Sequence, residues 1–174
     1  MGIMPRGAQK GAKARSGPLV MSLVEDRLRE AGYEVPEAAK PLAAYVPAVV
    51  EGRDVVTSGQ LPTVAGKLVR EGRLGEGVDV EQGKEAARTA ALNALGAVRA
   101  AIGDLDRVAQ VMRVTVFVAS GRGFTQQPQV ANGASELIGA AFGDAGLHAR
   151  SAVGVAELPL GAPVEVEVWL RLKS

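Results

Sequence analysis

The sequence predicts an α+β domain: a mixed sheet with two main helices packed on one face, and an extra N-terminal helix ahead of them. Three observations predict it. Residues 80–102 carry Ala87, Ala91, Ala94, Leu95, Val98 and Ile102 at three- and four-residue spacing, the stripe of a long amphipathic helix. Residues 163–173 alternate: Val164, Val166, Val168, Leu170 and Leu172 share one side, and Glu165, Glu167, Trp169, Arg171 and Lys173 the other. The elements run strands, helix, strand, helix, two strands, and the simplest layering of that order segregates the helices to one face.

The first helix is predicted over 22–31. Ser22 is a good N-cap, Glu25 stands three residues on as in a capping box, and Gly32 follows as a stop. Leu23, Val24 and Leu28 form its apolar stripe. Pro36 and Pro41 then break the chain. Residues 44–50 and 54–59 read as a hairpin around Glu51-Gly52-Arg53. Residues 60–79 are loop-like, with a short strand near 67–70. Asp79 caps the long helix over 80–102, Gly103 ends it, and its alanines permit close approach of its neighbours. Residues 107–118 form a central strand with apolar residues on both faces. A loop over 119–127 leads to a helix over 128–142, with Pro128 in its first turn and Gly143 and Gly146 at its end. Strands over 149–157 and 163–173 close the chain. Val111, Phe117 and Trp169 are placed on the second face of the sheet, and oligomerisation through that face is the expected way to cover them.

The 174 residues suit one domain, expected over 21–174. Ahead of it, 1–20 hold Arg6, Lys10, Lys13 and Arg15 with no acid, and are expected to be a disordered basic tail. Without those four, the 20 basic residues fall to 16 against 19 acidic ones, a balance that counts against nucleic acid as a partner. The aromatic content of 3% also leaves little from which to build a base-stacking platform. The chain has no Cys, which excludes disulfides, a thiolate nucleophile and thiolate-bound metal. His148 is its only imidazole, so a Ser-His-Asp triad has that one ring to draw on. His-rich metal sites are excluded as well. No stretch approaches the roughly 18 apolar residues of a membrane span, and the reading is a cytoplasmic protein without a membrane partner.

Three motifs carry a resemblance. Tyr45 precedes Thr57-Ser58-Gly59-Gln60-Leu61-Pro62. Val114-Thr115-Val116-Phe117-Val118 lies on the central strand. Ala149-Arg150-Ser151-Ala152-Val153-Gly154-Val155-Ala156-Glu157-Leu158-Pro159 leads into Val164-Glu165-Val166-Glu167. In this order they resemble the Rid/YjgF family, known also as endoribonuclease L-PSP or translation-inhibitor proteins, over about residues 42–172. The extended first helix and Asn132-Gly133-Ala134-Ser135 resemble its divergent YjgF/chorismate-mutase-like branch. The resemblance implies a chorismate-mutase-like fold and a homotrimer with clefts between subunits. It also implies hydrolytic deamination of reactive enamines and imines to ammonia and 2-keto acids, without cofactor.

The family's site residues carry over by position. Arg150 takes the place of the arginine that clamps a substrate carboxylate, a task suited to a planar two-pronged donor. Glu165, fifteen residues on, matches the residue that holds or activates water. Tyr45 and Ser58 match catalytic residues of the cleft, and Gly59, Ser151 and Ala152 match positions lining it. The site asparagine has two candidates, Asn132 and Ser135. His148 stands two residues before Arg150, and on a strand the two side chains share a face. The sequence departs from the family at Ala152, usually Cys, at Glu157, usually Arg, and in a longer second helix and loop. Two other functions stay open: a small-molecule-binding regulator without catalysis, and an endoribonuclease or translation inhibitor.

Overall fold

The computed structural model describes residues 22–39 and 44–174; the predicted tail over 1–20 lies outside them. The helices are α1 (Leu23–Glu30), α2 (Val80–Ile102) and α3 (Gln127–Phe142). The strands are β1 (Ala48–Glu51), β2 (Asp54–Thr57), β3 (Thr63–Val64), β4 (Lys67–Leu68), β5 (Arg73–Leu74), β6 (Gly77–Val78), β7 (Val108–Ala119), β8 (Ala149–Val155) and β9 (Val164–Leu172). The main sheet has the order β1-β2-β9-β7-β8; all its pairs are antiparallel except β7 and β8. The loop predicted over 60–79 contains two small ladders, β3 with β4 and β5 with β6.

Local chemistry fixes α2 at its predicted bounds. The Asp79 side chain accepts from the Gln82 N–H at 2.8 Å, and the Gln82 side chain accepts from the Asp79 N–H at 3.0 Å. Each thus satisfies a donor the helix leaves free. Gly103, at φ +85°, ends the helix. The alanines at 86, 87, 90, 91, 94 and 97 are buried. Where α2 meets α3 the approach is closer still: a Cβ on Gly133 would lie 2.0 Å from the Lys84 carbonyl oxygen. The core lies between this helix pair and the inner face of the sheet, where Val164, Val166, Val168, Leu170 and Leu172 are buried as the alternation predicts.

Three expectations need correction. The hairpin strands are shorter than predicted. β1 begins only after Pro47, which has no N–H for a ladder. β2 ends at Thr57, whose buried hydroxyl oxygen accepts from the Val168 N–H at 3.0 Å. The cap of α1 is half as predicted: Ser22 is the N-cap and its hydroxyl oxygen accepts from the Glu25 N–H at 3.5 Å. Glu25 does not close a capping box; its carboxylate pairs with Arg99 at 2.9 Å. Asp106 supplements the Ser22 cap from across the chain, accepting from the Ser22 hydroxyl and the Leu23 N–H at 2.8 Å each and from the Val24 N–H at 2.9 Å. Finally, Val111 is not on the second face. Register shifts between Val108 and Gln110 and between Val111 and Arg113 turn β7 locally, so Val111 is fully buried in the core and Arg113 sits opposite Trp169 instead.

Among the described residues the second face carries no helix. On it Val49, Val56 and Trp169 form one row across three strands and are 56%, 47% and 38% exposed.

Candidate functional site

The predicted site residues fall into two groups, on opposite faces of the sheet. The first group gathers where β8 meets α3. Arg150 pairs in register with Val114, whose side chain is in the core, so Arg150 points to the helix side. Its NH1 donates to Asn132 Oδ1 at 2.8 Å and to Ser135 Oγ at 3.2 Å, and its NH2 to the Pro128 carbonyl at 3.3 Å. Asn132 and Ser135, three residues apart on α3, therefore both enter the site. His148 faces the same way as Arg150, as the spacing predicts, and its Nε2 is 2.9 Å from Ser135 Oγ. Ala152, also on this side, packs against the core. Among the described residues Arg150 has no carboxylate within salt-bridge reach, whereas Arg73 and Arg99 each have two and Arg171 has one.

The second group lies on the open face. Glu165 pairs with Phe117, and Glu167 with Thr115. Glu165 is half-buried, and its side chain lies across Gly59: a Cβ there would come within 1.9 Å of its Oε1. Burial, and secondarily the charge of Glu167, raises the Glu165 carboxyl above its ordinary pKa. Ser151 turns to this face, where its hydroxyl accepts from Arg113 NH2 at 2.6 Å. Ser58 uses its hydroxyl across the open end of the β1–β2 hairpin, donating to the Val46 carbonyl at 2.6 Å. Tyr45 belongs to neither face: it is 53% exposed, and with Gly59 it lines a cavity of about 730 Å³ walled by Val35, Pro36, Leu61 and, from α2 on the helix side, Leu92. Arg150 is not among the residues lining that cavity.

Sequence reasoning missed Arg113, whose outward turn depends on the bulges of β7. It also missed the carbonyls of Pro128 and Gly146, main-chain groups without a sequence signal. Among the described residues no group of three or more His, Cys, Asp or Glu side chains is placed to hold a metal ion, and no helix is long and apolar enough to cross a membrane.

A family model described as "YjgF/chorismate mutase-like, putative endoribonuclease" matches residues 25–171. The chain belongs to the YjgF family. Its YjgF relatives span nearly the same length. Protein TCP17 of Trypanosoma cruzi is 46% identical over 154 residues, covering 87% of this chain and 95% of that protein. The crystal structure of Atu1372 from Agrobacterium tumefaciens superimposes with a TM-score of 0.81 at 42% identity, over 86% of this chain and 92% of the other. TdcF of E. coli, solved with bound serine, gives a TM-score of 0.55 at 27% identity, over 80% and 94%.

Proposed function

We propose that this YjgF protein is a hydrolytic deaminase of enamine and imine intermediates, working as a homotrimer whose carboxylate-binding cleft lies between subunits. The observation that carries this reading is Arg150: a guanidinium held in place by an amide oxygen and a main-chain carbonyl, with no carboxylate partner among the described residues. Of its five N–H groups, three have acceptors, which leaves two without one among the described residues and available to a ligand anion. The serine bound by TdcF carries an α-carboxylate of the kind that Arg150 would hold.

Glu165 supplies the second component. A carboxyl group with a raised pKa is a better general base than an ordinary one once ionised. It stands on the face opposite Arg150, so one chain does not unite the pair; the open face of one copy laid against the β8 edge of the next does. In that cleft Arg150 binds the carboxylate of a 2-imino acid. Glu165 of the adjacent copy takes a proton from water, whose oxygen adds to C2. The imine nitrogen takes up that proton to give a carbinolamine; the C2 hydroxyl then passes its own proton to the nitrogen as the C–N bond breaks, and ammonia and a 2-keto acid leave. One water is consumed and no oxidant is needed.

The test generates 2-iminobutanoate in situ with an amino-acid oxidase and follows its disappearance against semicarbazide trapping. Wild type should accelerate hydrolysis. Arg150→Ala should lose most of the acceleration together with 2-oxobutyrate binding. Arg150→Lys should not restore it, because an ammonium lacks the planar fork. Normal 2-oxobutyrate binding by Arg150→Ala would refute the assignment. Keto-acid binding by wild type without acceleration would favour the regulatory function.

A further inference from the structure

His148, the only imidazole of the chain, has a partner on each ring nitrogen. Its Nδ1 is 2.5 Å from the Gly146 carbonyl oxygen. A carbonyl only accepts, so Nδ1 carries the proton, and Nε2 of the neutral ring presents its lone pair. That lone pair faces Ser135 Oγ at 2.9 Å, and the Ser135 hydroxyl donates to it. A hydroxyl, an imidazole and an acceptor that orients the imidazole, joined in sequence, form the arrangement that activates a serine nucleophile; here a main-chain carbonyl stands where a carboxylate is usual.

The scaffold around this chain of bonds is rigid. Ser135 is in the middle of α3. Gly146 closes a short helical turn that rests on the end of α3: a Cβ at 146 would lie 2.7 Å from the Ile138 carbonyl oxygen. Only glycine allows that contact, which holds the Gly146 carbonyl toward the ring. Arg150 NH1 lies 3.2 Å from Ser135 Oγ on its other side, so a cationic donor borders the reacting oxygen.

We propose that Ser135 is the nucleophile of a second activity, the hydrolysis of carboxylic esters through an acyl-enzyme, with His148 as general base and Arg150 facing the oxyanion. Ser135 Oγ bonds to the ester carbonyl carbon while its proton passes to His148 Nε2. The negative oxygen of the tetrahedral intermediate faces the free N–H groups of Arg150. The ester C–O bond breaks, and His148 returns the proton to the departing alkoxide. Water then attacks the acyl group by the same relay, giving the acid and free Ser135. Ester and water become acid and alcohol. A neutral carbonyl supports the imidazolium less than a carboxylate would, so turnover is expected to be slow, with acyl-enzyme accumulating. The proposal shares Arg150 with the deaminase reading, but its three central groups lie within one chain and it requires no imine.

The experiment treats the full chain with a fluorophosphonate probe and maps the adduct by peptide mass, with p-nitrophenyl acetate as the turnover substrate. One adduct per chain, on Ser135, is expected, with a pre-steady-state burst of p-nitrophenol. Ser135→Ala should lose both, and His148→Gln should slow labelling by about a hundredfold or more. Circular dichroism checks that each variant is folded. The adduct map of the wild type decides the matter even if a variant fails to fold. No adduct, an adduct on another residue, or an undiminished burst in Ser135→Ala would overturn the proposal. None of these results depends on whether imines are hydrolysed.

Discussion

At the scale of one residue, Glu165 shows how a half-buried carboxylate costs stability. Burial raises its pKa in the folded state above the unfolded value, so between the two values the folded protein binds more protons. Stability therefore falls as pH rises through that window and stays lower above it. Glu165→Gln removes the buried charge and keeps the shape. It should unfold at a higher temperature than wild type at pH 7, and the difference should vanish when both are scanned below the ordinary carboxylate range. The same variant should lose turnover more than keto-acid binding. Gly59 gives a companion test. The atoms a methyl at 59 would meet first are Oε1, Cδ and Cγ of the Glu165 side chain, at 1.9, 2.7 and 3.0 Å, and not main chain. Gly59→Ala should therefore leave the melting temperature nearly unchanged and lower kcat, read from the same imine assay.

At the scale of the element, α1 depends on a residue far from it in sequence. Burial alone would raise the Asp106 pKa, but hydrogen bonds from Val24, Leu23 and Ser22 bring it below the ordinary value. A depressed folded pKa means stability that is present at neutral pH and lost as pH falls through that folded value. Asp106→Ala should cost about 1–2 kcal/mol, the usual worth of a helix cap, in urea denaturation at pH 7. The cost should shrink in acid. Gly133→Ala should cost about 1–3 kcal/mol in the same assay, because its methyl meets main chain rather than a mobile side chain. These two positions also mark how far the sequence is legible. α2 and β9 are readable because their caps and their alternation lie within a few residues. In α1 the Ser22 cap is readable for the same reason, but its Asp106 partner is not, because Asp106 is brought to Ser22 by the tertiary fold. Nor are the bulges of β7, since a strand apolar on both faces gives no parity from which to count a one-residue shift. In the site, the shared face of His148 and Arg150 follows from spacing. The separation of Arg150 from Glu165 does not, because it depends on how β8 and β9 register against β7.

At the scale of the whole molecule, that separation joins the exposed apolar row to the chemistry. Val49, Val56 and Trp169 lie on the face that carries Glu165, so whatever covers the row also covers the carboxylate. If the cover is the β8 edge of a second copy, every cleft takes Arg150 from one chain and Glu165 from its neighbour. Val56→Asp should then give monomers in sedimentation velocity and lose keto-acid binding, although it touches neither residue. Mixing the two inactive variants gives a sharper test. Arg150→Ala keeps Glu165, and Glu165→Gln keeps Arg150. Unfolded together in equal amounts and refolded, they assemble at random around a cyclic axis, so about one cleft in four receives both intact residues. The mixture should recover about a quarter of wild-type imine hydrolysis, while each variant refolded alone stays inactive. A mixture as inactive as its components would show that both residues must come from the same chain, and the cleft between subunits would be wrong even if the protein were a trimer.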